Sequence, residues 1–152
     1  MKALICGFFV LAAFISCNKA SLGNKSAEDI EFAMGRQCGW CAGSDSLHIS
    51  SVNTDYQYTA PCDESDFKKT AATASVNWNA LISLLEYETF SKINVNSCDV
   101  CFDGCDTWIS VKKGDEYHRI QFGASDSAKI QQILPLIKKL TEIKKQYSDK
   151  LN

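Results

Sequence analysis

The chain has little that would let it span a membrane, grip a nucleic acid or run histidine chemistry. Its longest apolar run, Ala3 to Ile15, is shorter than the roughly 20 residues of a spanning helix. Sixteen basic side chains stand against eighteen acidic ones, so there is no basic surplus to give the electrostatic footprint of a DNA or RNA binder. Only two histidines occur, His48 and His118. Neither has a Ser, Cys or carboxylate partner at a recognisable spacing, so each is expected as a buried or rim side chain and not as a general base.

What the sequence does have begins at its amino terminus. Lys2 precedes the apolar run, and Ser16-Cys17 closes it, the pattern of a secretory signal. Phe14-Ile15-Ser16-Cys17 resembles the lipobox of bacterial lipoproteins, with Phe14 where leucine is common. The resemblance implies that the Cys17 thiol is acylated, the bond before it cut, and the protein held to a lipid bilayer outside the cytoplasm, at the periplasmic face or cell surface. Several acyl chains on one residue anchor far better than a single myristoyl. The division expected is a signal peptide over 1–16, an anchor and polar tether over 17–28, and one domain over 29–152. Cutting at 16 removes only Lys2 among the charges, leaving 136 of the 152 residues at a net charge of −3 (15 basic, 18 acidic). A chain of that size buries roughly 65–70% of its unfolded surface, enough for a core.

Six cysteines remain after Cys6 and Cys17: Cys38, Cys41, Cys62, Cys98, Cys101 and Cys105. An even number in an exported domain reads as disulfides, and six allow 15 pairings that spacing cannot choose between. The two CxxC motifs admit other chemistry. Cys38, Cys41, Cys98 and Cys101 have the spacing of a four-thiolate zinc site, although that needs reduced thiols. Cys38-Gly-Trp-Cys41 also has the form of a thiol–disulfide exchange motif, but a strand is expected after it where such enzymes place a helix that lowers the thiol pKa. Disulfides are therefore the first expectation, and no cofactor is expected. Asp99, Asp103 and Asp106 cluster nearby without the regular spacing of a calcium loop; they read as turn formers.

Alternation at Ile30, Phe32 and Met34 predicts a strand. Leu47–Val52 and Asp55–Thr59 predict a hairpin broken at Asn53-Thr54, and 61–74 reads as a polar loop. Trp78, Leu81, Ile82, Leu85, Thr89 and Ile93 recur at helical spacing, predicting a helix from about 76 to at least 86 with Ser75 as N-cap. A second hairpin, 108–112 with Glu116–Phe122, turns at Gly114, where a positive φ is cheap. Ser125 or Asp126 is expected to cap a last helix whose apolar face is Ile130, Ile133, Ile137, Leu140, Ile143 and Tyr147. Lys138, Glu142, Lys145 and Asp149 form its solvated side, and Pro135 should kink or restart it. The aromatic residues Trp40, Trp108, Tyr56, Tyr58 and Tyr117 read as core or cross-strand pairs more readily than as a contact surface.

The element order, roughly β-ββ-α-ββ-α, predicts an α+β fold: an antiparallel sheet, stapled by disulfides, with two helices on one face. Cys38–Ser50 and Cys98–Ser110 align without a gap, which suggests a ββα pseudo-repeat. Gly35-x-x-x-Gly39-x-Cys41-x-Gly43 and Cys98-x-x-Cys101-x-Asp103-Gly104-x-x-x-Trp108-Ile109 resemble motifs of a family of small lipoproteins common in Bacteroidetes-type bacteria. That family tends to carry a cysteine where Asp45 stands and to lack Cys38 and Cys105, so no pairing scheme carries over. The resemblance implies location and fold, and no activity. The function expected is a non-enzymatic binding or inhibitor-like module with an envelope protein partner. An envelope thiol–disulfide enzyme and a metal-binding protein are the alternatives.

Overall fold

The computed structural model describes residues 29–40, 42–60, 62 and 65–148. The segments expected as signal peptide and tether, with Cys17, and also Cys41, Pro61 and Asp149, lie outside the described residues. Six strands run β1 Ile30–Cys38, β2 Ser44–Ile49, β3 Asn53–Thr59, β4 Phe67–Ala72, β5 Cys105–Lys113 and β6 Glu116–Phe122, with α1 Ser75–Leu84, α2 Tyr87–Phe90 and α3 Leu134–Ser148. The strands form one antiparallel sheet in the order β4-β3-β2-β1-β5-β6. The α+β architecture is as the sequence predicts, with an additional strand and a short additional helix.

Alternation decides which face is which. Cross-strand partners share a face, and the row Tyr56, Leu47, Met34, Ile109 and Ile120 is buried throughout. The helices close over this face with Trp78 and Leu81 of α1, Tyr87 and Phe90 of α2, and Leu136, Leu140 and Ile143 of α3. Phe32 meets Trp78 edge-on at 5.8 Å between centroids. At the rim, Lys144 of α3 reaches the Asp45 carboxylate at 2.8 Å, which also accepts the Arg36 N–H at 2.8 Å. Both partners of that ion pair are largely shielded from water, so one carboxylate ties α3 to β1 and β2.

Several local expectations change. The first hairpin turns at Ser50–Val52, not at Asn53-Thr54, because the Ser50 hydroxyl accepts the N–H groups of Val52 and Asn53. Val52 is 67% exposed at the tip; as an apolar residue it mimics a strand end. The expected loop over 61–74 contains β4, whose burial alternates weakly and whose Lys68 suits a solvent-facing edge. Helix α1 has Ala74 as N-cap with no side-chain cap, and it ends at Leu84. Leu85 is extended, which resets the phase so that Tyr87 and Phe90 face the core.

Pro135 is the second residue of α3, where a missing N–H costs nothing. Asp126 caps a preceding 3-10 turn through the Gly123 N–H at 3.2 Å, and not the helix. The Lys129 ammonium and the Gly123 N–H outweigh the opposing effect of burial and hold Asp126 below the ordinary carboxylate range. The second hairpin is as predicted: Gly114 takes φ +61 between paired Lys113 and Glu116.

Tyr56, 2% exposed, has its phenol pushed up to about 12 by burial, with Asp45 and Tyr58 adding to the effect. Since folding favours the neutral phenol, its contribution to stability is present below the ordinary value of 10.0 and is lost as pH rises through that range. Thermal unfolding of Tyr56→Phe should therefore show a flatter alkaline decline than that of the parent protein. Identical declines would contradict this assignment.

Candidate functional site

Among the described residues the α-helices pack on one side of the sheet, so the opposite face is open for side chains to meet a ligand. One row crosses all six strands: Thr70, Asp55, His48, Ala33, Ser110 and Arg119. At its centre the small side chains of Ala33 and Ser110 form a floor. A depression of about 340 Å³ sits there, bounded by Trp108, Tyr117, His48, Asn53 and the Glu31–Lys112 pair. Trp108 lies across Gly35, its register partner. A Cβ on Gly35 would stand within 2.5 Å of the indole and would overlap the Asp45 carbonyl oxygen. The Arg119 guanidinium sits over the indole at 4.4 Å from the ring centroid.

The row contains the residue types of a nucleophilic triad, Asp55, His48 and Ser110, but in the wrong geometry. His48 and Ser110 flank Ala33 on either side. Two strand spacings put them about 9–10 Å apart, beyond hydrogen-bond reach. Asp55 accepts a hydrogen bond from the Thr70 hydroxyl at 2.6 Å. The other histidine is spent internally: His118 Nε2 donates to the Ile93 carbonyl at 2.9 Å while the ring abuts Phe90.

The cysteines lie at one end of the sheet. Cys38, the last residue of β1, is bonded to Cys105, the first of β5. The two are register partners with Cα atoms 4.1 Å apart, close to the spacing of a non-hydrogen-bonded antiparallel pair. Cys98 is bonded to Cys101, and Cys62 is also disulfide-bonded. The structure thus chooses among the pairings that the sequence leaves open. The two aligned segments differ at their cysteines, because Cys38 ends a strand while Cys98 opens a 3-10 turn, Asp99–Phe102. The sulfurs of Cys38, Cys98 and Cys101 are therefore not thiolates, the form a four-thiolate zinc site requires.

Asp106 organises this end. Its side chain is wholly buried, and four donors fill its oxygens: the Ser97 hydroxyl at 3.0 Å, the N–H groups of Asp99 and Val100 at 3.1 Å, and the Gln121 amide at 3.2 Å. Burial works against the ionised form, but these donations outweigh it and hold the carboxyl below the ordinary range. A carboxylate with four accepted bonds has no lone pair left for calcium. The N–H groups of Asp99 and Val100, at the start of the 3-10 turn that follows Cys98, are thus filled by the Asp106 carboxylate.

Of the aromatics singled out, Tyr56 is core and Tyr58 packs against it, whereas Tyr117 (61%) and Trp40 (84%) are exposed. Phe102, which sequence reasoning passed over, is 88% exposed. Trp40 and Phe102 occupy two neighbouring loops joined by the Gly39 N–H donating to the Gly104 carbonyl at 2.9 Å. The signal for Phe102 lay in its position between two cysteines of one short loop.

Asp106→Asn keeps the shape but places an NH₂ against N–H donors. It should destabilise the fold by about 1–3 kcal/mol at neutral pH, the cost of leaving buried donors unmatched. Because the native carboxyl titrates below 3.8, its contribution is present above that pH and is lost as pH falls further. The gap between parent and variant in denaturant melts should narrow as pH falls below 3.8; a gap that stays constant on further acidification would show that the charge is immaterial.

Gly35→Ala should cost about 1–3 kcal/mol, as overpacking does, and should shift Trp108 fluorescence; an unchanged melt would show that the indole yields freely. Comparison with protein-family models and with curated proteins finds no match for this chain.

Proposed function

We propose that the protein is a lipid-anchored, exported binding module that takes its ligand on the open face of the sheet and does no covalent chemistry. The observation that supports this reading is the contrast between its two kinds of polar group. The buried carboxylate Asp106 and the ring of His118 are consumed by internal hydrogen bonds, and His48 and Ser110 stand too far apart to act together. The polar groups of the open face line a depression that looks outward. Acylation at Cys17 and release from residues 1–16 place it at a bilayer outside the cytoplasm, where disulfides persist.

A second reading, docking of an envelope protein, draws on the exposed pair Trp40 and Phe102. Large aromatics on stapled loops have the character of interface anchors. They sit at the Cys38 end of β1, whereas residue 30, toward the tether, begins the same strand at its far end.

Full-length protein from a lipidating host should have a mature amino terminus at Cys17 carrying acyl chains by mass spectrometry, and should float with membranes. Cys17→Ala should leave it in the soluble exported fraction. An uncut or unacylated terminus would overturn the placement. For binding, envelope fractions added to the full chain should perturb NMR resonances of the open face. Perturbation confined to Trp40 and Phe102 would favour the second reading, and none in either region would overturn both.

A further inference from the structure

We infer that the depression on the open face is a subsite for a neutral saccharide of one or two rings. This rests on the binding reading above. Its position removes the commonest way of recognising a peptide: the depression lies mid-sheet, where backbone N–H and C=O groups of β1, β2 and β5 are committed to ladder bonds, so a strand cannot be added there as it can at an edge. Hydrogen bonding must come from side chains, and the site supplies planar, multidentate ones: Asp55, His48 and Asn53 on one flank and Glu31 on the other. Each can match a ring hydroxyl, which both donates and accepts.

The apolar part of the site has the complementary form. Ala33 and Ser110 give a floor without protruding side chains, both of them buried; Tyr117 stands beside it as an exposed ring wall, and Trp108, with Arg119 stacked on its ring, borders the site. The C–H face of a sugar packs against a ring such as that of Tyr117, and an amphipathic aromatic loses little conformational entropy in doing so. The volume of about 340 Å³ is at the small end of ligand sites and suits one or two rings.

Charge argues against an anionic ligand. Lys112 is paired with Glu31 at 3.4 Å and Arg119 is stacked on Trp108, while Asp55 adds a negative charge to the same lining. No cationic cluster is left over to hold phosphate or sulfate.

The test is a titration of full-length protein with maltotriose, cellotriose and chitotriose at millimolar concentration. Trp40→Phe serves as background, so that an exposed indole remote from the site does not contribute. Binding by at least one sugar should change Trp108 fluorescence and shift amide resonances of Ala33, His48 and Ser110. Tyr117→Ala and Asp55→Asn should each weaken it about tenfold, with circular dichroism unchanged. Val76→Ala, at an exposed residue of α1, should leave it intact.

If none of the three sugars binds, or their shifts map to the Trp40–Phe102 end, the inference is overturned. Should envelope fractions still perturb the open face in that case, the binding-module reading survives without the saccharide. If they do not, both fall.

Discussion

The pairing of β1 with β5 is the constraint on which the rest of the molecule depends. All nine residues of β1 find partners in β5, although the two strands are separated in sequence by three other strands and two helices. Closing so long a loop is entropically costly, and the cost is offset by burying Phe32, Met34, Ile109 and Val111 against one another and the helices. The Cys38–Cys105 bond, with a sequence separation of 67, locks the same register. By loop-entropy arguments it contributes about 4 kcal/mol, against about 2 kcal/mol for Cys98–Cys101 with its separation of 3. A one-residue slip of β1 would send its apolar set to the open face, and the disulfide could not form.

The same register positions Asp106. It follows Cys105 directly and pairs with Gln37, which points its carboxyl away from the helices and toward the 3-10 turn. There the charge is satisfied by two backbone N–H groups and two neutral side-chain donors instead of by an opposite charge. The N–H groups at the start of the 3-10 turn beside the Cys98–Cys101 bond are thereby occupied by a neighbouring anion. A structural disulfide and a catalytic one can share a motif and differ in what the adjacent N–H groups do.

Sidedness follows from helix placement. α1 and α3 both cover the face carrying Leu47, Met34 and Ile109, so the other face has to be compatible with water. It is built of polar residues around a few small ones, and Trp108 is accommodated only because Gly35 leaves room and Arg119 shields the indole. The glycine–tryptophan–arginine stack keeps a large aromatic on a wet surface and forms one wall of the depression.

Much of the fold was legible in the residues. Period-two alternation at Ile30–Met34 and across the Gly114 hairpin, and helical spacing at Leu140 and Ile143, report directly on burial because each element has one dry side, although in the first turn of α3 Leu136 is buried where Ile137 was expected. His48 outward and His118 inward follow from the same alternation. The sequence misplaced what alternation cannot encode. β4 has weak contrast because an edge strand is half wet on both faces, Val52 is apolar at a turn that a serine hydroxyl organises, and the helix after Trp78 resets its phase at Leu85. By itself the sequence determined the α+β class, with an antiparallel sheet, helices over it and cysteines suited to bridges. Only the tertiary structure decided which sulfurs meet, that Asp106 fills the amides beside Cys98, and that Ala33, His48, Ser110, Trp108 and Tyr117 share a depression. Those facts depend on strand register between segments distant in sequence, and register is a property of the packed whole.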